Sequence, residues 1–86
     1  MSKHPKTLQR ILSGRSDSAI RFDDLVSLLR YLGFIRRVRG DHHLFTRRDV
    51  VEILNLQPKG AQAKPYQVKQ IRELLVKYRI GVEDHE

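Results

Sequence analysis

Two strand-forming runs flank the dipeptide Gly40-Asp41, and this arrangement constrains the fold more than any other feature of the sequence. Residues 34–39 and residues 42–46 are rich in aromatic and branched side chains. A two-residue connection that contains glycine predicts a β-hairpin, in which the two strands pair antiparallel. The chain is therefore expected to contain an antiparallel sheet with a tight turn at Gly40.

Apolar residues at helical spacing predict three helices in the rest of the chain. The clearest stripe contains four leucines between residues 25 and 32, and Gly33 follows it as a suitable C-terminal stop. A second stripe follows Pro65, a residue that suits the first turn of a helix. The predicted helices span residues 6–12, 22–32 and 65–79.

A third strand over residues 50–57 completes the expected sheet, and residues 58–64 are predicted to form a loop. Asn55 and Gln57 interrupt this apolar strand, which indicates that one face meets solvent or a ligand near its end. The sequence thus predicts an α+β fold of order α-α-β-β-β-α. Its helices pack on one face of a three-stranded antiparallel sheet, and the other face stays open for binding.

Three segments are expected along the chain. Residues 1–20 form an N-terminal helix and loop extension, residues 21–80 form the α/β domain, and residues 81–86 form an acidic tail. With 86 residues there is room for one small core, which excludes a Rossmann or barrel enzyme. The sequence has neither a cysteine, nor an apolar run long enough to span a membrane, nor a secretory signal, so a cytoplasmic protein is expected.

The charge distribution favours a polyanionic partner. The chain has 17 Lys and Arg against 10 Asp and Glu, a formal net charge of +7. Residues 30–48 concentrate this charge, with six arginines and one acidic residue. Arginine presents a planar fork of donors that matches phosphate and guanine edges. The basic centre therefore predicts binding to RNA or DNA.

Two segments resemble the HicA (YcfA-like) toxin family. They are residues 28–34, read as LLRYLGF, and residues 39–45, read as RGDHHLF, and the resemblance extends over residues 22–79. It implies a fold similar to a double-stranded-RNA-binding domain and an mRNA interferase that cleaves RNA without metal through one histidine. It also implies a HicB-like antitoxin as the protein partner. The histidine that matches the family motif is His42.

The sequence departs from the family pattern at two places. Asp41 stands where the family usually has serine or glycine, and it puts a negative charge beside His42. The third predicted strand also lacks the valine-proline-x-histidine pattern of many members. These departures keep two other functions open: an RNA-binding module without catalysis, and a protein-binding subunit whose basic face receives an acidic antitoxin-like partner.

His42 is the candidate catalytic residue, because imidazole takes up and releases protons near neutral pH. Arg36, Arg37 and Arg39 precede the same turn and are expected to hold phosphate. Further RNA contacts are predicted for Lys64, Tyr66, Gln67, Lys69 and Gln70 around the start of the last helix. Strand alternation points His43 away from His42, and no third ligand stands at metal spacing, so neither a metal nor another cofactor is expected.

Overall fold

The computed structural model describes residues 4–82. Within them, three α-helices, a short 3-10 helix and five strands follow one another along the chain. Their bounds are α1 (His4–Ser13), the 3-10 helix (Asp17–Ala19), α2 (Phe22–Tyr31), β1 (Ile35–Arg39), β2 (His42–Arg47), β3 (Val50–Leu56), β4 (Pro58–Lys59), β5 (Gln62–Ala63) and α3 (Pro65–Lys77). The predicted α+β class and the α-α-β-β-β-α order of the main elements are confirmed.

The main sheet has the order β1-β2-β3, with both neighbouring pairs antiparallel. The turn between β1 and β2 is the predicted two-residue hairpin. Gly40 has a φ of +59° at the first turn position, where type II′ hairpin loops favour glycine. Arg39 and His42 pair directly across this turn, so the hairpin sets which side chains flank His42.

The core lies between the three helices and the inner face of the sheet. Phe45, Leu54 and Leu56 from the sheet are fully buried in one cluster with apolar residues of the helices. The helical contribution consists mainly of Ile11, Leu25, Leu28, Leu29, Val68, Ile71 and Leu75. Replacing such a leucine with alanine costs about 2–5 kcal/mol of stability. The helices thus occupy one face of the sheet, as the sequence predicts.

The predicted N-terminal extension belongs to this same core. Ile11 of α1 and Ile20 are both buried in the cluster. Asp17 accepts two hydrogen bonds from Arg72 of α3, at 2.9 and 3.2 Å, and Arg72 also donates to the backbone oxygen of Ile11. The extension is therefore tied to α3 by the apolar packing of α1 and its hydrogen bond with Arg72, and by the Arg72–Asp17 ion pair from the 3-10 helix.

The segment predicted as a loop forms a second, smaller hairpin, which corrects that prediction. β4 and β5 pair antiparallel around Gly60, whose φ is +61°. The amide of Ala63 donates to the oxygen of Ile20, and the amide of Phe22 donates to the oxygen of Ala61. These bonds fix the segment against the start of α2, and they depend on residues some 40 positions away in sequence.

Parts of two predicted segments lie outside the described residues. Residues 1–3 belong to the predicted extension and residues 83–86 to the predicted acidic tail. In the stretch from residue 4 to residue 82, no helix has both the length and the apolar character needed to cross a membrane.

Candidate nucleic-acid interface

The predicted site lies on the outward face of the main sheet. Successive side chains of a strand point to opposite faces, and directly paired residues of antiparallel strands share a face. Buried and exposed residues alternate along β3, and the strand register extends this alternation to β2 and β1. We term the outward side chains the open face: Ile35, Arg37, Arg39, His42, Leu44, Thr46, Val51, Ile53 and Asn55.

The open face has two halves of different chemistry. The half near the hairpin is polar and cationic and consists of Arg37, Arg39, His42 and Asn55. The other half is apolar and consists of the exposed side chains Ile35, Val51 and Ile53. One exposed surface therefore offers charge at the hairpin and apolar area away from it.

His42 is held in a defined orientation at the polar half. Its Nδ1 lies 3.0 Å from Oδ1 of Asn55, which projects from β3. Because an amide oxygen only accepts hydrogen bonds, Nδ1 donates in this contact, and in the neutral ring that donates from Nδ1 the lone pair lies on Nε2. The side chain is 47% exposed, so Nε2 is accessible from solvent. This arrangement presents the imidazole as a proton acceptor.

Asp41 borders the imidazole on its accessible side. Its Oδ1 lies 3.8 Å from Nε2 of His42, and its Oδ2 accepts a hydrogen bond of 3.1 Å from the Gln57 amide. The carboxylate is 73% exposed. Asp41 thus puts a negative charge beside Nε2 of His42 and beside the position where a phosphate would bind.

The three arginines before the turn do not share one surface. Arg39 pairs directly with His42, and Arg37 pairs with Leu44, so both lie on the open face. Arg36 pairs with Phe45 and points to the inner face. There it lines a small cavity with Phe22 and His43. Of the three arginines predicted to hold phosphate, the structure therefore brings Arg37 and Arg39 to the face of His42 and places Arg36 on the other side of the strand.

His43 packs on the inner side of β2. Its ring meets the ring of Phe22 edge-on, with centroids 4.9 Å apart and an interplanar angle of 71°. Its Nδ1 is buried without a hydrogen-bond partner among the described residues. The two adjacent histidines thus face opposite sides of the sheet, as strand alternation predicts.

Gln67 is buried, which corrects its predicted role as an RNA contact. Its Nε2 donates to the backbone oxygen of Asn55, and its Oε1 accepts from the backbone amide of Gln57, at 3.2 and 3.3 Å. The side chain therefore fixes the end of β3 to the start of α3. Gln67 supports the site by holding the backbone that carries Asn55.

The other residues predicted around α3 divide between two surfaces. Tyr66 is exposed and Lys64 is half-buried, and both line a groove below the hairpin. Gln70 lies elsewhere, beside Glu52 and Lys77, and Lys69 is exposed to solvent. Only Tyr66 and Lys64 of this predicted group are brought next to the hairpin residues.

This groove, termed the hairpin groove, continues from the His42 site because the two share Asp41 and Gln57. Its volume is about 640 Å³, within the size range of ligand pockets. Its lining residues are Asp41, Gln57, Pro58, Lys59, Lys64, Pro65 and Tyr66. In the sequence, Asn55 and Gln57 are recognisable as polar interruptions of an apolar strand. The contact of Asn55 with His42, and that of Gln57 with Asp41, follow from the strand register.

Among residues 4–82, no group of three or more His, Asp or Glu side chains is placed to hold a metal ion. Comparisons with protein-family models, with curated proteins and with solved structures find no match to this chain.

Proposed function

We propose that this protein binds RNA and cleaves it without a metal ion, with His42 as the proton acceptor, as a toxin of a type II toxin-antitoxin system. One observation carries the proposal. Asn55 holds Nδ1 of His42, so the lone pair of Nε2 is accessible on a cationic open face, with Arg39 directly across the hairpin. The resemblance to the HicA family adds the class of substrate, mRNA, and the cytoplasm as the compartment.

The proposed reaction uses the 2′-hydroxyl of the RNA as nucleophile. Nε2 of His42 takes the proton of that hydroxyl, and the 2′-oxygen attacks the adjacent phosphorus to form an O2′–P bond. The P–O5′ bond breaks, and water protonates the leaving 5′-oxygen. The products are a 2′,3′-cyclic phosphate and a 5′-hydroxyl, and the imidazolium returns its proton to solvent.

Arg39 and Arg37 supply the positive charge that this reaction requires. As the pentavalent phosphorus forms, negative charge grows on its equatorial oxygens, and guanidinium donors stabilise that charge. Arg39 shares the open face with His42 at the directly paired position. Asn55 acts as a positioning residue, because it holds the ring of His42 through Nδ1.

A protein partner is also proposed, a HicB-like antitoxin that covers the open face. Ile35, Val51 and Ile53 are large apolar side chains left exposed beside the cationic half of this face. Interfaces bury such apolar area at their centre and pair charges at their rim. An acidic protein fits both halves of the open face at once, and its binding would block access to His42.

Asp41 favours a second candidate function, an RNA-binding module without catalysis. Its carboxylate lies 3.8 Å from Nε2 of His42, so it borders the place where the proposed reaction brings the scissile phosphate. Repulsion there lowers the reactivity of the site, whereas Arg37 and Arg39 still bind backbone phosphates. Binding without cleavage is the result that distinguishes this function from the first.

The test is cleavage of a labelled single-stranded RNA in the presence of EDTA. Wild type is expected to cleave, and His42→Ala to lower the rate roughly 10²- to 10⁴-fold while RNA affinity is retained. His4→Ala, which removes an imidazole on α1 outside the site, is the matched control and keeps the wild-type rate. Equal cleavage by wild type and His42→Ala would contradict catalysis by this residue.

A further inference from the structure

The hairpin groove combines apolar side chains with a carboxylate that accepts a hydrogen bond from Gln57. Pro58, Pro65 and the ring of Tyr66 line it, and Tyr66 is 64% exposed. Asp41 also lines the groove, and its orientation is set by the hydrogen bond from Gln57. A carboxylate has only acceptor sites. The groove is therefore suited to a flat ligand whose edge carries N–H donors.

Nucleobases are ligands of this kind in an RNA-binding protein. Unpaired bases stack on aromatic side chains and are read through hydrogen bonds to their Watson–Crick edges. Guanine presents two adjacent N–H donors on that edge, at N1 and N2, and these match the two oxygens of one carboxylate. A phosphate group at the same position is repelled by Asp41.

We propose that the hairpin groove is a subsite for one unpaired guanine, stacked on Tyr66 and bound through the carboxylate of Asp41. This inference rests on the proposed function, because it takes the RNA bound at His42 as the ligand. It names the substrate class as single-stranded RNA, since base pairing in a duplex occupies the edge that Asp41 reads.

The position of the groove places this guanine next to the scissile phosphate. Asp41 precedes His42 in the chain, and the two side chains lie 3.8 Å apart. Lys59 and Lys64 line the same groove and are available to the flanking phosphates. Asp41 then binds a base instead of repelling the backbone, so its presence beside the catalytic histidine has a physical reason.

The subsite is tested by measuring binding of RNA hexamers to the full-length His42→Ala chain, in which cleavage does not deplete the probe. Hexauridylate is compared with the same hexamer carrying one central guanine or one central inosine. The guanine hexamer is expected to bind about 10-fold more tightly than hexauridylate, and the inosine hexamer, which lacks the N2 amine, to fall between them.

Two further substitutions in that chain assign the contacts. Asp41→Asn is expected to reduce the preference for guanine to less than about twofold, because the amide replaces an acceptor with a donor. Tyr66→Ala weakens all hexamers by roughly 10-fold, and Tyr66→Phe restores them, because stacking needs the ring and not the hydroxyl. Asp49→Asn, at the turn between β2 and β3, is the matched control and retains the full preference.

The outcomes separate this inference from the proposed function. Absence of a guanine preference, or a preference that survives Asp41→Asn, overturns the subsite even if the wild type cleaves RNA. A guanine preference that depends on Asp41, together with weaker binding of all hexamers by Tyr66→Ala, supports the subsite, and the separate EDTA cleavage assay then decides whether His42 is catalytic.

Discussion

The basic residues of α3 and the basic residues of the open face differ in the side chains that they contact. Arg72 is held by Asp17, which is 55 positions away, and Lys77 by Glu52, which is 25 positions away. On the open face, Arg39 has no ion pair with any described residue, and His42 is oriented by an uncharged amide. The first group connects elements of the fold, whereas the second is directed to solvent. Substitutions in the first group should therefore change stability, and substitutions in the second should change function.

Among the substitutions that test this comparison, Arg72→Ala is expected to have the largest effect, a loss of stability. The substitution leaves the carboxylate of Asp17 and the backbone oxygen of Ile11 without their donor in a half-buried position. We expect a loss of about 2 kcal/mol in the free energy of unfolding and a fall in Tm of roughly 10 °C. The measurement is urea and thermal unfolding followed by circular dichroism.

Arg48→Ala is the matched control for this substitution, because Arg48 is exposed at the turn between β2 and β3. Its stability should stay within about 0.5 kcal/mol of wild type. Equal stability of the two variants would show that the charges near the helices do not hold the fold together.

A smaller effect, on rate alone, is expected for Asn55→Ala. The substitution removes the acceptor that fixes Nδ1 of His42, so the ring samples other orientations and tautomers. We expect kcat for RNA cleavage to fall about 10-fold, in line with the loss of one hydrogen bond, while KM and Tm stay unchanged. Thr46→Ala, on the same face, serves as the control. A rise in KM without a fall in kcat would assign Asn55 to substrate binding.

The two faces of β1 give a third test, since Arg39 is outward and Arg36 is inward. Affinity for single-stranded RNA is measured over a range of salt concentrations. Arg39→Ala is expected to lower the slope of log affinity against log salt by about 0.7, the value for one phosphate contact. Arg36→Ala should leave the slope unchanged. The reverse result would mean that RNA binds on the helix side of the hairpin.

The smallest effect is a change in how the free energy of unfolding decreases at acidic pH. Hydrogen bonds from Lys77 and then Tyr78 lower the pKa of Glu52 from 4.5 to about 2. The ionised carboxylate therefore stabilises the fold above pH 4.5, and this contribution is lost as the pH falls through about 2. Glu52→Gln should flatten the decrease in the urea midpoint across this window, modestly because the pair is exposed. Identical profiles would contradict the role of this ion pair.

Hydrophobic spacing and turn residues are enough to predict the features of the fold that depend on local sequence. The leucine stripe of α2 and the turn at Gly40 are encoded within a few residues, and both occur where they are expected. The inward direction of Arg36 also follows from strand alternation, once β1 is recognised. The RNA contact predicted for Arg36 stays a prediction, on the opposite side of β1 from Arg37 and Arg39, and the salt slopes test it.

Features that depend on distant pairing were not predictable. The β4–β5 hairpin is fixed by backbone bonds to Ile20 and Phe22, which no local pattern in residues 58–64 reveals. The burial of Gln67 depends on the end of β3 passing beside the start of α3. For the same reason, Asn55 was recognisable as a polar residue in an apolar strand but not as the partner of His42.

The most direct test of the central claim is the chemistry at the ends of the cleaved RNA. The substrate is an oligonucleotide cleaved in EDTA, compared with the same oligonucleotide carrying a 2′-deoxy nucleotide at the cleavage position. Proton abstraction by His42 predicts a 2′,3′-cyclic phosphate and a 5′-hydroxyl from the first, and no cleavage of the second. Cleavage of the 2′-deoxy substrate, or products with 3′-hydroxyl and 5′-phosphate ends, would contradict the account.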